Sequence, residues 1–256
     1  QPPGTFRVLS RREALTLLGM AGVALFPACA SGKSPSAGSA AGATSTTAAG
    51  SSAGASTSVA PQTAACVLAR EATEGPFYLD IDKVRSDITE GRPGAPLELQ
   101  ITVVAADGCA PIPDAAVDIW HTDAGGLYSG VGQGGGADSQ TFLRGTQLSD
   151  ANGLTTLRTI YPGWYMGRAV HIHMKVHVSG AEVHTGQLFF DDDFTRTAYQ
   201  AAPYNARPGP NQTNAEDGIH RSAGAASAIV PVVAQGNGHV GRIVVGVKQA
   251  GTANRA

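Results

Sequence analysis

His171 and His173 sit one residue apart in a stretch of strict alternation. Val170, Ile172, Met174, Val176 and Val178 are apolar, while His171, His173, Lys175 and His177 are polar. A period of two is that of a β-strand, whose successive side chains point to opposite faces. Both imidazoles then share a face, with an apolar set packed behind them, and two imidazoles so placed can bind one metal ion. His177 is on that face too, but about 13 Å beyond His173 along a strand, so it is read as solvent-facing or part of a second site. An isolated His-x-His is more often an ordinary surface or core pair, so its surroundings decide. Zinc would take a third His, a carboxylate or a Cys as well. Nearby there are tyrosines instead: Tyr161 and Tyr165 precede the pair, and Tyr128 lies in a Gly-rich loop. A phenolate is a hard anionic oxygen donor that suits a hard cation such as Fe(III), whereas imidazole accepts iron, zinc or copper. Taken singly, any one of these tyrosines is more simply a core or rim aromatic.

Strands and turns must position such donors. Leu97, Leu99, Ile101 and Val103 alternate with Glu98, Gln100 and Thr102 as a half-buried strand would. Further strands are expected over 116–121, 154–160, 170–178, 185–190 and 240–247, with turns at Asp107-Gly108 and at Asp150-Ala151-Asn152-Gly153. Gly and Pro number 33 and 15 in 256 residues, about 19% against a usual value of about 12%. Only 15% of residues are charged. That composition argues against long helices. The predicted fold is all-β, a β-sandwich or barrel with long Gly-rich loops such as 129–137. The formal net charge is −2 and no segment is strongly basic, so no nucleic-acid partner is expected.

The averages conceal three regions. Residues 1–29 read as an export signal, with Arg7, Arg11 and Arg12 ahead of a short apolar run. Ser10-Arg11-Arg12-Glu13-Ala14-Leu15 resembles a twin-arginine signal, and Leu25-Phe26-Pro27-Ala28-Cys29 resembles a lipoprotein processing box. A lipidated Cys29 would tether the protein to a membrane; an ordinary cleaved signal is the alternative. Residues 30–64, mostly Ala, Gly, Ser and Thr, read as a disordered linker. Residues 65–256 form the working domain, which is expected outside the cytoplasm, in the cell envelope or extracellular. Such a compartment permits a disulfide between Cys66 and Cys109, with two separate buried thiols as the alternative. Asp191-Asp192-Asp193 is read as a solvated loop rather than a calcium site.

Four ordered motifs resemble those of the intradiol ring-cleavage dioxygenases. Trp120-His121-Thr122-Asp123-Ala124-Gly125-Gly126-Leu127-Tyr128 resembles the family's first ligand motif. Pro162-Gly163-Trp164-Tyr165 followed by Arg168-Ala169-Val170-His171-Ile172-His173 resembles the second. Thr73-Glu74-Gly75-Pro76-Phe77-Tyr78 and Gly186-Gln187-Leu188-Phe189-Phe190 resemble two flanking segments. The resemblance implies an all-β fold with a β-sandwich core and a non-haem Fe(III) held by Tyr128, Tyr165, His171 and His173. It further implies that O2 cleaves a catechol-type ring between its two hydroxyl-bearing carbons to give a muconate-type diacid. Tyr165 would leave the metal and help take a substrate proton, Arg168 would stabilise negative charge on the substrate, and Gln187 would be a site residue. Only 166–170 separate the second Tyr from the His pair, and Trp164 replaces a Pro seen in many members, as in a compact, exported branch of the family.

Two other readings are set beside this one. The first is a non-catalytic β-sandwich binding module of the cell envelope. The second is a copper or zinc enzyme built on the His171/His173 pair. The identity of the catechol and the oligomeric state are not specified by these motifs.

Overall fold

A computed structural model describes residues 69–81, 83–131, 139–210, 212–222 and 229–248, all within the unit Val59–Ala256. The expected export signal and linker, Cys29, Cys66 and most of the 129–137 loop lie outside the described residues. Cys109 is disulfide-bonded.

Among the described residues, eight strands form two four-stranded sheets. In chain order they are β1 (Pro96–Ala105), β2 (Ala116–Trp120), β3 (Arg144–Leu148), β4 (Leu154–Ile160), β5 (His171–Val178), β6 (Ala181–Phe189), β7 (Val232–Gln235) and β8 (Gly238–Val247). One sheet has the order β4-β1-β8-β7 and the other β3-β2-β5-β6. β1 runs antiparallel to β4 and parallel to β8. The short helices α1 (Asp192–Ala198) and α2 (Gly218–Ser222) follow β6. This is the all-β sandwich that the family resemblance implies; the strand periodicity alone allowed a sandwich or a barrel.

The core follows the alternation. Leu97, Leu99, Ile101 and Val103 of β1 are fully buried in one cluster with Val117 and Ile119 of β2 and Ile172, Met174 and Val176 of β5. Fully burying each such side chain contributes about 1.5–3 kcal/mol. The turn into β4 is set by Asp150, whose Oδ1 accepts from the backbone N–H of Asn152 and Leu154 at 2.8 and 2.9 Å. Gly153 closes it at φ +74°, where a Cβ would stand 2.4 Å from the Val103 carbonyl.

The structure adds to the sequence expectations and corrects one of them. β5 is buried on both faces from His171 to Val176, because the 73–78 segment covers its polar side. Glu74 pairs with Lys175, and a Cβ on Gly75 would lie 3.2 Å from His173 Cε1. The β5–β6 register shifts at Val176/His177, which leaves His177 half-buried beyond the irregularity. β3 and β7, absent from the periodicity reading, are edge strands of five and four residues without a clean apolar alternation. Asp191-Asp192-Asp193 is not a loop. Asp191 caps α1, its Oδ1 accepting from Phe194 N at 2.9 Å, and the next two carboxylates lie in the first turn, where the helix dipole favours negative charge.

Ile119 is fully buried at the centre of the second sheet, between Gly145 of β3 and Met174 of β5. Ile119→Ala is expected to lower unfolding stability by about 2–5 kcal/mol in equilibrium urea unfolding. A loss below about 1 kcal/mol would contradict this packing.

Candidate metal centre

The register of β2, β5 and β6 places the site. His173 stands opposite Trp120 on one side and Gln187 on the other, and His171 stands opposite Phe189. Residues directly opposite share a face of the sheet, so both imidazoles, the indole and the amide come together. Trp120 stacks on the His173 ring at 4.9 Å and 7°.

Two loops bring in the phenols. After β2, Asp123 Oδ1 accepts from Gly125 N at 2.9 Å and Leu127 N at 3.0 Å, which folds the chain back before Tyr128. After β4, Gly163 donates its N–H to the Asp123 carbonyl at 3.1 Å and accepts from Thr122 Oγ1 at 2.7 Å. The loops meet backbone to backbone through glycine. A Cβ on Gly126, at φ +84°, would lie 2.2 Å from the Trp164 carbonyl, and one on Gly163 would lie 2.3 Å from that of Asp123. Arg207 bridges the pair, donating to the carbonyls of Gly125 and Trp164 and stacking over the Trp164 ring at 4.0 Å. Tyr199 Oη donates to the Pro162 carbonyl at 2.8 Å, and Tyr204 Oη donates to that of Tyr161 at 2.6 Å.

The four candidate ligands converge. Nε2 of His171 lies 3.1 Å from Nε2 of His173 and 3.3 Å from Tyr165 Oη. The Tyr128 and Tyr165 rings are 5.6 Å apart, and the Tyr128 and His173 rings 6.0 Å apart. Phe77 stacks on Tyr128 at 4.5 Å and meets Tyr165 edge-on at 5.9 Å. Tyr128 is buried, whereas Tyr165 is half-exposed.

The protonation states suit a cation. The Ala169 carbonyl, 2.7 Å from His171 Nδ1, can only accept, so Nδ1 carries the proton and Nε2 presents a bare lone pair. Burial, reinforced by Arg168, pushes His171 down to about 3. Burial, with His171 adding to it, holds His173 well below the usual histidine range. Burial also raises the Tyr128 phenol well above its ordinary value and raises that of Tyr165, which the Arg168 charge partly offsets. The buried Tyr128 hydroxyl forms no hydrogen bond of good geometry, although it interacts with the Tyr165 phenol. A buried polar atom left so needs an explanation, and a cation at this vertex supplies one. Among the described residues no three His, Cys, Asp or Glu side chains gather where they could hold a metal; half of this donor set is tyrosine.

Arg168 and Gln187 stand beside the donors. Arg168 Nη1 is 3.3 Å from Tyr165 Oη and 3.5 Å from His171 Nε2, and Nη2 donates to Gln187 Oε1 at 2.5 Å. Gln187 donates in turn to the Thr73 carbonyl at 2.8 Å, so it reaches Arg168 and the covering segment, not the four donors. Tyr161 is not at the vertex; it is buried in the core and its hydroxyl pairs with Thr195 at 2.7 Å. His177 is not among the converging groups. Sequence reasoning did not single out Phe77, Arg207, Tyr199 or Asp217, whose roles depend on contacts across long separations and leave no local spacing signal.

The family profile described as Dioxygenase matches residues 73–202. Among solved structures, the chain is similar to an intradiol ring-cleavage dioxygenase from Tetranychus urticae, 33% identical with a TM-score of 0.69 over 74% of this chain and 98% of that one. It is 30% identical over 143 residues to a chlorocatechol 1,2-dioxygenase of Cupriavidus pinatubonensis, covering 47% of this chain and 54% of that protein. It is 36% identical over 139 residues to a catechol 1,2-dioxygenase of Acinetobacter baylyi, covering 45% of this chain and 44% of that protein. The matches thus span about half the length of these curated relatives.

Two outcomes follow from the geometry. Gly126→Ala has to relieve both a positive φ and a clash with the Trp164 backbone. It should cost roughly 1–3 kcal/mol or more in thermal unfolding and reduce the metal bound per chain; unchanged stability and metal content would contradict the loop contact. The second outcome concerns His121, fully buried, with Nδ1 donating to the Thr122 carbonyl and Nε2 accepting from Thr159 Oγ1. Burial lowers it to about 4. Above pH 6.5 it is neutral in both folded and unfolded chains. As pH falls from about 6.5 to about 4 the unfolded chain takes up the proton first, so His121 contributes a loss of about 3 kcal/mol, to which His171 and His173, lowered by the same burial, add. Urea unfolding of the metal-free protein and of its His121→Asn variant at pH 7 and pH 4.5 checks this: the wild type should lose more stability over that interval than the variant, and equal losses would contradict it.

Proposed function

The chain belongs to the intradiol ring-cleavage dioxygenase family, and from that premise we propose that it cleaves a catechol-type aromatic ring between its two hydroxyl-bearing carbons, using O2 and a non-haem Fe(III) held by Tyr128, Tyr165, His171 and His173. The observation that carries the reading is the convergence of two neutral imidazole nitrogens and two phenols on one vertex. Two anionic oxygens and two imidazoles are a donor set for a hard, highly charged ion. When bound, the ferric ion supplies the Lewis acidity and electron-accepting character that make a catecholate ring reactive toward O2.

The chain's own residues have separate tasks. Tyr128, packed between Phe77 and the His173 side of the site, is the fixed phenol. Tyr165, only partly buried at the rim, is the phenol with room to move; as the phenolate it would be when holding the ferric ion, its Oη would take a proton from a catechol hydroxyl and become the neutral phenol. Arg168 Nη1 faces the place where negative charge gathers on the substrate and stabilises it there. Gln187 holds the neighbouring Nη2. Trp120 and the 73–78 segment close the back of the site and keep water from the His173 ring.

The zinc reading lacks support in the donor set, since no third His, carboxylate or thiolate joins the pair among the described residues. A non-catalytic module would have no need to hold two phenols and two neutral imidazoles together. The export and lipid-tether reading rests on Arg11-Arg12 and Cys29, and we carry it as part of this proposal, with action outside the cytoplasm.

The purified protein supplied with ferric iron should bind about one iron per chain and show a visible tyrosinate-to-iron band that shifts when a catechol is added. Catechol-dependent O2 uptake should yield a diacid. Tyr165→Phe should lower that uptake by about 10²-fold or more, and His173→Ala should also lose iron. A protein that stays colourless with ferric iron, or unchanged uptake in both variants, would overturn the assignment.

A further inference from the structure

The guanidinium of Arg168 is useful at the site only if it is aimed. An arginine side chain has about 2 kcal/mol of rotamer freedom to lose before it points anywhere. Its three nitrogens divide the work. Nη1 faces Tyr165 Oη and His171 Nε2, Nη2 is held by Gln187, and Nε, the nitrogen on the stem side, donates to Asp217 Oδ2 at 2.8 Å.

Asp217 lies far along the chain from both ligand motifs and beyond the 73–202 stretch that matches the family. Its side chain is fully buried. Oδ2 also accepts the backbone N–H of Ala169 at 2.8 Å, and the carbonyl of that residue fixes the His171 tautomer at 2.7 Å. Oδ1 accepts from Ile219 N at 2.8 Å and His220 N at 3.1 Å at the start of α2. One carboxylate therefore joins the guanidinium, the backbone two residues before His171, and a helix from outside the matched region. A buried carboxylate persists where it is paired and hydrogen-bonded, and here each of these partners is a donor. The planar fork of arginine does the rest: with Nε and Nη2 both held, Nη1 can only face the vertex.

We propose that Asp217 is the positioning residue for Arg168 in ring cleavage, holding Nε so that Nη1 is directed at the reacting atoms. The assignment rests on the dioxygenase reading above. Asp217 acts through Arg168 and does not itself touch substrate.

A double-mutant cycle on the iron-loaded protein tests it. Asp217→Asn keeps an oxygen acceptor for the helix but removes the charge pairing. It should lower kcat for catechol-dependent O2 uptake by about tenfold or more, with a smaller change in KM, because misaiming a charge costs the transition state more than binding. In an Arg168→Gln background the same change should alter kcat by less than about twofold, since nothing is left to aim. Asp217→Glu, which keeps the charge but displaces it, enters the same cycle as the second variant if Asp217→Asn does not fold. Independently of activity, solvent exchange of the Arg168 Nε proton, read by nitrogen-15 NMR of the metal-free protein, should be slow in the wild type and faster in Asp217→Asn. Equal losses of kcat in both backgrounds, or unchanged Nε exchange, would reduce Asp217 to a structural cap and overturn the inference while leaving the dioxygenase reading intact. A wild-type protein without catechol-dependent uptake would reject that reading, and this assignment with it.

Discussion

Two imidazole nitrogens 3.1 Å apart, with a phenol oxygen 3.3 Å from one of them, form a vertex that the surrounding structure exists to hold. Weak hydrogen bonds alone join its members, Tyr165 Oη and Arg168 Nη1 lying within donating reach of the bare His171 nitrogen. Lone pairs and hydroxyls crowd together in a place where burial keeps the histidines neutral and the phenols protonated. The proposed ferric ion would give each of these donors a common partner. Without it, the rest of the chain must hold the donors in place.

It does so from two directions. Behind the histidines, Ile172, Met174 and Val176 lock β5 into the sandwich core, and cross-strand pairing with β2 and β6 fixes which side chains share the site face. Above them, the tyrosine loops are fixed to each other by main-chain contacts that tolerate no Cβ at Gly126 or Gly163. Residues from the C-terminal third (Tyr199, Tyr204, Arg207 and Asp217) hydrogen-bond to these loops or to Arg168 and Ala169. The rigid sandwich thus sets the imidazoles, while the phenols depend on loops buttressed by residues distant in sequence.

That division explains what could be read from the residues alone. β1 and β5 were legible because strict alternation produces a buried face, and the proposed ligand set was named from ordered motifs whose four side chains the structure brings together. The covered polar face of β5 was not, since nothing local in 170–178 says that Glu74 and Gly75 lie over it. β3 and β7 escaped because short edge strands need little apolar alternation. The three successive aspartates from 191 looked like a solvated loop, yet Asp191 is a helix cap, a role that depends on the helix that follows. Asp217 was out of reach altogether, since its meaning lies in a guanidinium 49 residues away.

The central claim is that both phenols and both imidazoles bind one ferric ion. Resonance Raman spectroscopy of the iron-loaded protein, excited within its visible band, tests this most directly. The account predicts enhanced tyrosinate ring vibrations in the wild type that are altered separately by Tyr128→Phe and by Tyr165→Phe, as two distinct ligands require. Iron bound at the site without tyrosinate vibrations, or with a spectrum that neither substitution changes, would contradict it.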